Sequence, residues 1–259
     1  MPRSLIVANW KSNPDSVKEA LLLARKIEKG IAKLEISKYR NIEIVLALSF
    51  PFLLPAGGIL KKSRLGAQDS FWALSGPYTG EVSVQQLLSL GVEYVILGHS
   101  ERRINLFETD EMINKKVLAV LNHGMRAILC VGENERQDGE IPQVVGEQLK
   151  KALRGVKRST LKNLVVAYEP VWAISTNAGS VPDSPENAIQ ASLYIRKVIA
   201  GLFGRVAADS VRVIYGGSVS AKNIGSFLSE GRMEGALVGS ASLNPDEFVR
   251  MINIANRLK

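Results

Sequence analysis

The sequence predicts a single α/β domain folded as a closed (β/α)8 barrel, on three observations. Short β-branched apolar runs recur along the 259 residues, separated by stretches whose apolar positions return with a helical period. A chain of this length, 46% hydrophobic, can bury the core of one large barrel. The first run leads into NWKSNPDS, residues 9–16, and not into the Gly-rich phosphate turn with which a doubly wound open sheet usually begins.

In order, the strand candidates are SLIVANW (4–10), IEIVLALS (42–49), LGAQD (65–69), YVILGH (94–99), AILCVG (127–132), LVVAYEP (164–170), VRVIYGG (211–217) and GALVGS (235–240). Between them lie segments such as VKEALLLARKIEKGIAKL (17–34), MINKKVLAVLNHG (112–124) and PENAIQASLYIRKVIAGLFG (185–204). Each of these sets apolar ridges against a charged face, the pattern of a helix packed on one side. No Pro/Gly/Ser-rich linker interrupts the alternation, so residues 1–259 read as one domain.

Composition narrows the function. No apolar run approaches the roughly 20 residues needed to span a bilayer. The start, MPRSLIVANWK, turns polar too soon for a secretory signal. The single cysteine, Cys130, excludes an internal disulfide framework and suits the cytoplasm. No Cys/His cluster has metal-ligand spacing, which argues against a metal. The net charge of +8 favours anionic partners. The basic residues are scattered without interleaved aromatics, so a phosphorylated small molecule is favoured over nucleic acid.

In such a barrel the chemistry sits where strands end. Those ends carry Asn9 and Lys11 after the first strand, and His99, Ser100 and Glu101 after the fourth. Glu169 follows the sixth, Gly216, Gly217 and Ser218 the seventh, and Gly239 and Ser240 the eighth. A carboxylate, an imidazole, an ammonium, an amide and two glycine-containing turns would thus share one mouth. Glycine turns let backbone N–H groups approach a phosphate closely, as do helix N-termini.

The motifs in these positions are NWK (9–11), GHSERR (98–103), CVGE (130–133), AYEPVWAI (167–174), YGGSV (215–219), and LVG with ASL within 237–243. Over essentially its whole length the chain resembles the triosephosphate isomerase family. The resemblance implies the TIM-barrel fold and interconversion of dihydroxyacetone phosphate and glyceraldehyde 3-phosphate, with no metal or organic cofactor. The alternative is a phosphate-binding barrel that has lost turnover. A different phosphate-using barrel would need another residue set after strands 4 and 6.

On this reading Glu169 is the base, since a carboxylate held in an apolar pocket is a stronger base than one in water. His99 offers a neutral imidazole N–H to the enediolate, with Ser100 as the expected N-cap of a short helix. Lys11 supplies a cation and Asn9 an amide donor; the resemblance implies that Glu101 arranges the lysine. Ser218, Gly239 and Ser240 are the phosphate-binding positions, together with the backbone N–H of Ser175. Arg102 and Arg103 read as structural ion pairs, His123 as structural, and Cys130 as an inert core thiol. Pro170 stiffens, and Trp172 anchors, a lid that shields the intermediate from water.

That lid departs from the family. Where most members have Gly-Thr-Gly, this chain has Ser175, Thr176 and Asn177, followed by a stretch about three residues longer, AGSVPDSP (178–185). Tyr215 and Ser218 resemble the family pair that holds the lid, and are expected to bond backbone near Asn177. Serine and asparagine restrict a loop that glycine would leave freer. The segment from Gln68 to Glu81 carries Phe71, Trp72 and Tyr78. Exposed aromatics suggest an interface, and the resemblance implies a homodimer in which this loop, with Thr79 at its tip, enters the other subunit.

Overall fold

The computed structural model describes residues 4–34, 42–136, 141–174 and 180–258. Its strands are β1 (Ser4–Asn9), β2 (Ile42–Leu48), β3 (Arg64–Ala67), β4 (Tyr94–Leu97), β5 (Arg126–Val131), β6 (Leu164–Tyr168), β7 (Arg212–Tyr215) and β8 (Gly235–Val238). Every neighbouring pair is parallel, and β8 returns to β1, so the sheet is a closed barrel without edges. The single-domain (β/α)8 architecture expected from the sequence is the one found.

Ten α-helices among the described residues complete it: α1 (Val17–Lys33), α2 (Phe50–Gly57), α3 (Val84–Ser89), α4 (Ser100–Asn105), α5 (Asp110–Asn122), α6 (Gln143–Ala152), α7 (Pro185–Phe203), α8 (Arg205–Ser210), α9 (Ile224–Ser229) and α10 (Pro245–Arg257). Local chemistry sets their starts. Ser16 Oγ accepts the Glu19 N–H ahead of α1, Ser83 forms a capping box with Gln86 ahead of α3, and Ser184 accepts the Asn187 N–H ahead of Pro185 in α7. The sequence pattern accounts for the long helices. The shorter α2, α4, α8 and α9 hold too few turns to show a periodicity.

Strand parity positions the site. Side chains alternate between the two faces of a strand, so each strand feeds two cores. Leu5 and Val7, Val45 and Ala47, Ile128 and Cys130, Val165 and Ala167, Ile214 and Leu237 fill the barrel interior. The intervening residues, such as Ile6, Leu46, Leu129, Val166 and Val213, pack outward against the helices. Two residues beyond the last inward layer, the same parity brings Asn9, Gly132, Glu169, Gly216 and Gly239 to the C-terminal mouth. Two residues before the first inward layer of β2, β5 and β7, parity brings Glu43, Arg126 and Arg212 to the opposite end.

Candidate active site

Lys11 stands on strained backbone, with φ of 55° in the left-handed region. Three contacts hold it there. Its N–H donates to Asn9 Oδ1 at 3.0 Å, its carbonyl accepts from Gln68 Nε2 at 2.8 Å, and its ammonium pairs with Glu101. Gln68 Nε2 also reaches the Ala47 carbonyl at 3.0 Å, so one amide ties the turn after β1 to β2. This role of Gln68 was missed from sequence; its only sign is that it follows β3 with inward parity. The Lys11 side chain crosses the mouth, because a Cβ on Gly239 would lie 3.5 Å from its Cε and 3.8 Å from its Nζ.

After β4, Gly98 at φ +69° makes the turn into α4. The N-cap of that helix is His99, not Ser100 as the sequence suggested. His99 Nδ1 accepts the Glu101 N–H at 3.2 Å, doing what a Ser or Asp oxygen does elsewhere. An imidazole nitrogen can accept a backbone N–H only through its lone pair, so the ring proton is on Nε2. Ser100 instead begins the helix and donates its N–H to Glu169 Oε2 at 3.0 Å.

Glu169 is almost fully buried, 2% exposed. Its Oε1 lies 3.2 Å from His99 Nε2 but is not aligned with it as a hydrogen bond, and has no other such partner among the described residues. Gly216 makes room for it, since a Cβ there would come within 2.8 Å of Glu169 Cγ. The neighbouring Cys130 is the expected core thiol: burial first, then the Glu169 charge, pushes its acidity well out of the physiological range. Arg102 pairs with Asp69 at 2.8 Å and Arg103 with Asp110 at 2.7 Å. His123 Nδ1 meets the Ala119 carbonyl at 2.8 Å within α5. All three are structural, as read from sequence.

A cavity of about 430 Å³ brings together Asn9, Lys11, His99, Ser218, Gly239 and Ser240. Glu169 faces an adjoining cavity, of about 540 Å³, together with Ser100, Cys130 and Glu133. The docked carboxylate therefore stands beside the first cavity without lining it. Ser175, Thr176 and Asn177 lie outside the described residues. Among the described residues no group of three or more His, Cys, Asp or Glu side chains could hold a metal ion. No described helix is long and apolar enough to cross a membrane.

The segments flanking 175–179 are tied down by carboxylates that the sequence did not reveal. Glu133 Oε1 accepts the Tyr168 hydroxyl at 2.7 Å and the Trp172 indole N–H at 3.0 Å, so Trp172 is a polar as well as an apolar anchor. Val181 N–H donates to the Trp172 carbonyl at 3.1 Å. Ser218 Oγ donates to the Ala173 carbonyl at 2.8 Å, and the Tyr215 hydroxyl to Asp183 Oδ2 at 3.0 Å. The backbone partner expected for Tyr215 near Asn177 lies outside the described residues; among the described ones its hydroxyl meets a side chain from the lengthened stretch.

Residues 4–255 match the family model of triosephosphate isomerase. The chain belongs to the triosephosphate isomerase family. It is 41% identical over 257 residues to the triosephosphate isomerase of Caldanaerobacter subterraneus subsp. tengcongensis, covering 98% of this chain and 100% of that one. Its identity to that of Thermoanaerobacter sp. is 42% over 257 residues, with the same two coverages. To that of Saccharopolyspora erythraea it is 43% over 258 residues, covering 97% and 96% of the two chains. Membership at this level, across the whole barrel, makes the chain an aldose–ketose isomerase of triose phosphates and sets aside the binding-only alternative.

Proposed function

We propose that Glu169, His99, Lys11 and Asn9 carry the interconversion of dihydroxyacetone phosphate and D-glyceraldehyde 3-phosphate. Glu169 leaves the Ser100 N–H, turns toward the 430 Å³ cavity and takes a proton from the carbon next to the carbonyl. The electron pair of that C–H bond forms the C=C bond of an enediolate, whose oxygens receive hydrogen bonds from His99 Nε2–H and Asn9 and face the Lys11 ammonium. The hydroxyl proton passes from one enediolate oxygen to the other, and return of the abstracted proton to the neighbouring carbon completes the exchange. One carbon is oxidised as the other is reduced, so the reaction calls for no cofactor or metal. Ser218, Gly239, Ser240 and the Ser175 N–H hold the phosphate.

The observation that carries this reading is the pairing of a buried carboxylate oxygen lacking a hydrogen bond with an imidazole whose other nitrogen is already engaged. A coupled assay with dihydroxyacetone phosphate tests it. Glu169→Asp withdraws the base by about 1 Å, which costs roughly a hundredfold in kcat, while affinity for a phosphate analogue holds. Near-normal turnover in that variant would remove Glu169 from proton transfer.

We further propose a homodimer through loop 68–81. Residues 74–81 are exposed at its tip, on a base of tilted ring contacts: Phe71–Trp72 at 4.1 Å and Phe71–Tyr78 at 4.6 Å. Phe71 is buried, contrary to the exposed aromatic trio read from sequence, so the tip presents Leu74, Tyr78 and Thr79. A cavity of about 320 Å³ beside Lys11 and Gln68 is the proposed receptor on a second copy. Sedimentation at micromolar concentration should give a dimer; a fully active monomer would refute the interface. The proposed setting is cytoplasmic triose phosphate metabolism, in glycolysis and gluconeogenesis, where the buried Cys130 stays reduced.

A further inference from the structure

Asp183 joins the start of α7 to the end of β7. Its Oδ1 accepts the Ser184 N–H at 2.8 Å and Asn187 Nδ2 at 3.0 Å at the start of α7, while its Oδ2 accepts the Tyr215 hydroxyl at 3.0 Å. Tyr215 ends β7, directly before Gly216, Gly217 and Ser218. Its ring is buried and stacked on Phe227, with centroids 3.9 Å apart and planes at 12°. The hydroxyl end lies hard against the turn, for a Cβ on Gly217 would fall 2.3 Å from it. The glycine turn therefore rests on the phenol, and among the described residues the phenol's outer end has one acceptor, Asp183. Burial, and then the Asp183 charge, pushes the Tyr215 pKa far up, so the hydroxyl keeps its proton and donates.

We infer that Asp183 is a positioning residue for the substrate phosphate, acting through Tyr215 on the Gly216–Gly217–Ser218 turn. A ring held at one face by Phe227 and at its hydroxyl by Asp183 has one place to sit. Without the acceptor a buried hydroxyl is left unpaired, which the ring relieves by tilting. Any tilt moves the turn, because nothing separates Gly217 from the phenol oxygen. The inference rests on the reading of the 430 Å³ cavity as the triose phosphate site.

The test compares Asp183→Ala, Asp183→Asn, Tyr215→Phe and the Asp183→Ala/Tyr215→Phe double variant. It reads kcat and KM for dihydroxyacetone phosphate, and Kd for inorganic phosphate by calorimetry without turnover. Asp183→Ala and Tyr215→Phe should each raise KM and phosphate Kd about tenfold, with kcat within about threefold of the parent. Asp183→Asn keeps a carbonyl oxygen for the same hydroxyl and should bring both constants back to parent values or below. The double variant should be no worse than the worse single one, since both break one chain of contacts. Ser184→Ala, which removes the side-chain cap of α7 but keeps the backbone N–H that meets Asp183, should leave both constants in place.

Unchanged KM and phosphate Kd in Asp183→Ala, whatever its thermal midpoint, would overturn the inference. So would additive losses in the double variant, or a loss in Ser184→Ala as large as in Asp183→Ala. Should Asp183→Ala fail to fold, an unchanged phosphate Kd in Tyr215→Phe decides against it equally. A parent chain that binds phosphate but turns nothing over would instead count against the catalytic assignment. The calorimetric comparison would stand.

Discussion

The two ends of the barrel are built from the same strands and in opposite styles. At the N-terminal end, the inward positions of β2, β4, β5 and β7 are Glu43, Tyr94, Arg126 and Arg212. Arg212 donates to Glu43 Oε2 at 2.8 Å and to the Tyr94 hydroxyl at 3.1 Å. Arg126 lies 3.5 Å from Glu43 and stacks 5.1 Å from the Tyr94 ring centroid. Charges and donors there find partners within the plug or, for Arg126, also in Glu93 at 3.1 Å. At the C-terminal end, Lys11 occupies left-handed backbone and Glu169 Oε1 is buried without a hydrogen bond among the described residues. Gly216 there leaves open the space a side chain would fill. One end is a closed stopper that favours the folded state. The other keeps polar groups available for a ligand, at some expense of stability.

This contrast can be broken from either side, and the largest effect belongs to the C-terminal end. Gly216→Ala would set a methyl 2.8 Å from Glu169 Cγ and 3.1 Å from the Tyr168 carbonyl oxygen, so the carboxylate must shift. A displacement near 1 Å costs roughly a hundredfold in kcat. The thermal midpoint should move much less than activity does; equal turnover would mean the base does not depend on that space.

At the N-terminal end the pattern should invert. Glu43→Gln removes the carboxylate that Arg212 and Arg126 share, and for this partly exposed group we expect a loss of about 2 kcal/mol in unfolding free energy. kcat and KM should stay within about twofold, since the stopper and the site lie at opposite ends of the barrel. Chemical denaturation beside the activity assay separates the two. A marked kcat change would show the ends to be coupled.

The pH dependence of that loss sharpens the comparison. Burial alone would raise the Glu43 pKa, but hydrogen bonding by Tyr94 and Arg212 and the charges of both arginines outweigh it and hold it below 4.5. A group depressed in the fold stabilises above its unfolded value, and that contribution disappears as pH falls through the folded value. Parent and Glu43→Gln stabilities should therefore differ most near neutrality and converge in acid, below 4.5. A gap that stays constant with pH would assign the loss to packing.

The smallest effect is expected at Gly239→Ala. Here φ is −81°, outside the left-handed region, and the nearest neighbours of a new Cβ are 3.5 and 3.8 Å away at the end of the Lys11 side chain. KM should rise by less than about tenfold, as for a side chain entering at ordinary contact distance. A larger rise would place the phosphate closer to Gly239 than Lys11 is.

What the sequence disclosed, and what it hid, follows the same division. Alternating runs such as IEIVLAL and LVVAY expose the barrel because strand parity and burial repeat every second residue. Asn9, Lys11, His99 and Glu169 were visible because each interrupts an apolar run at a strand end. Gln68, Glu133 and Asp183 were not. Each acts through contacts to residues between 21 and 57 positions away. No local period encodes such a pairing. The Glu43–Tyr94–Arg212 stopper was hidden in the same way, its members lying in three different strands. His99 as a helix cap was missed because the sequence offers Ser100, a better cap former, one position later.

The hydrogen bond at His99 Nδ1 has a spectroscopic consequence. The chain contains two histidines, and their rings must carry opposite tautomers. His99 accepts at Nδ1 and so keeps its hydrogen on Nε2, whereas His123 faces the Ala119 carbonyl through Nδ1 and must carry its hydrogen there. In a sample labelled with nitrogen-15 at histidine alone, four ring resonances should sort into two pyrrole-like and two pyridine-like signals. The δ1 and ε2 assignments should be exchanged between the rings. Adding a phosphate ligand should disturb only the set from His99, so the second ring serves as a built-in reference for the first.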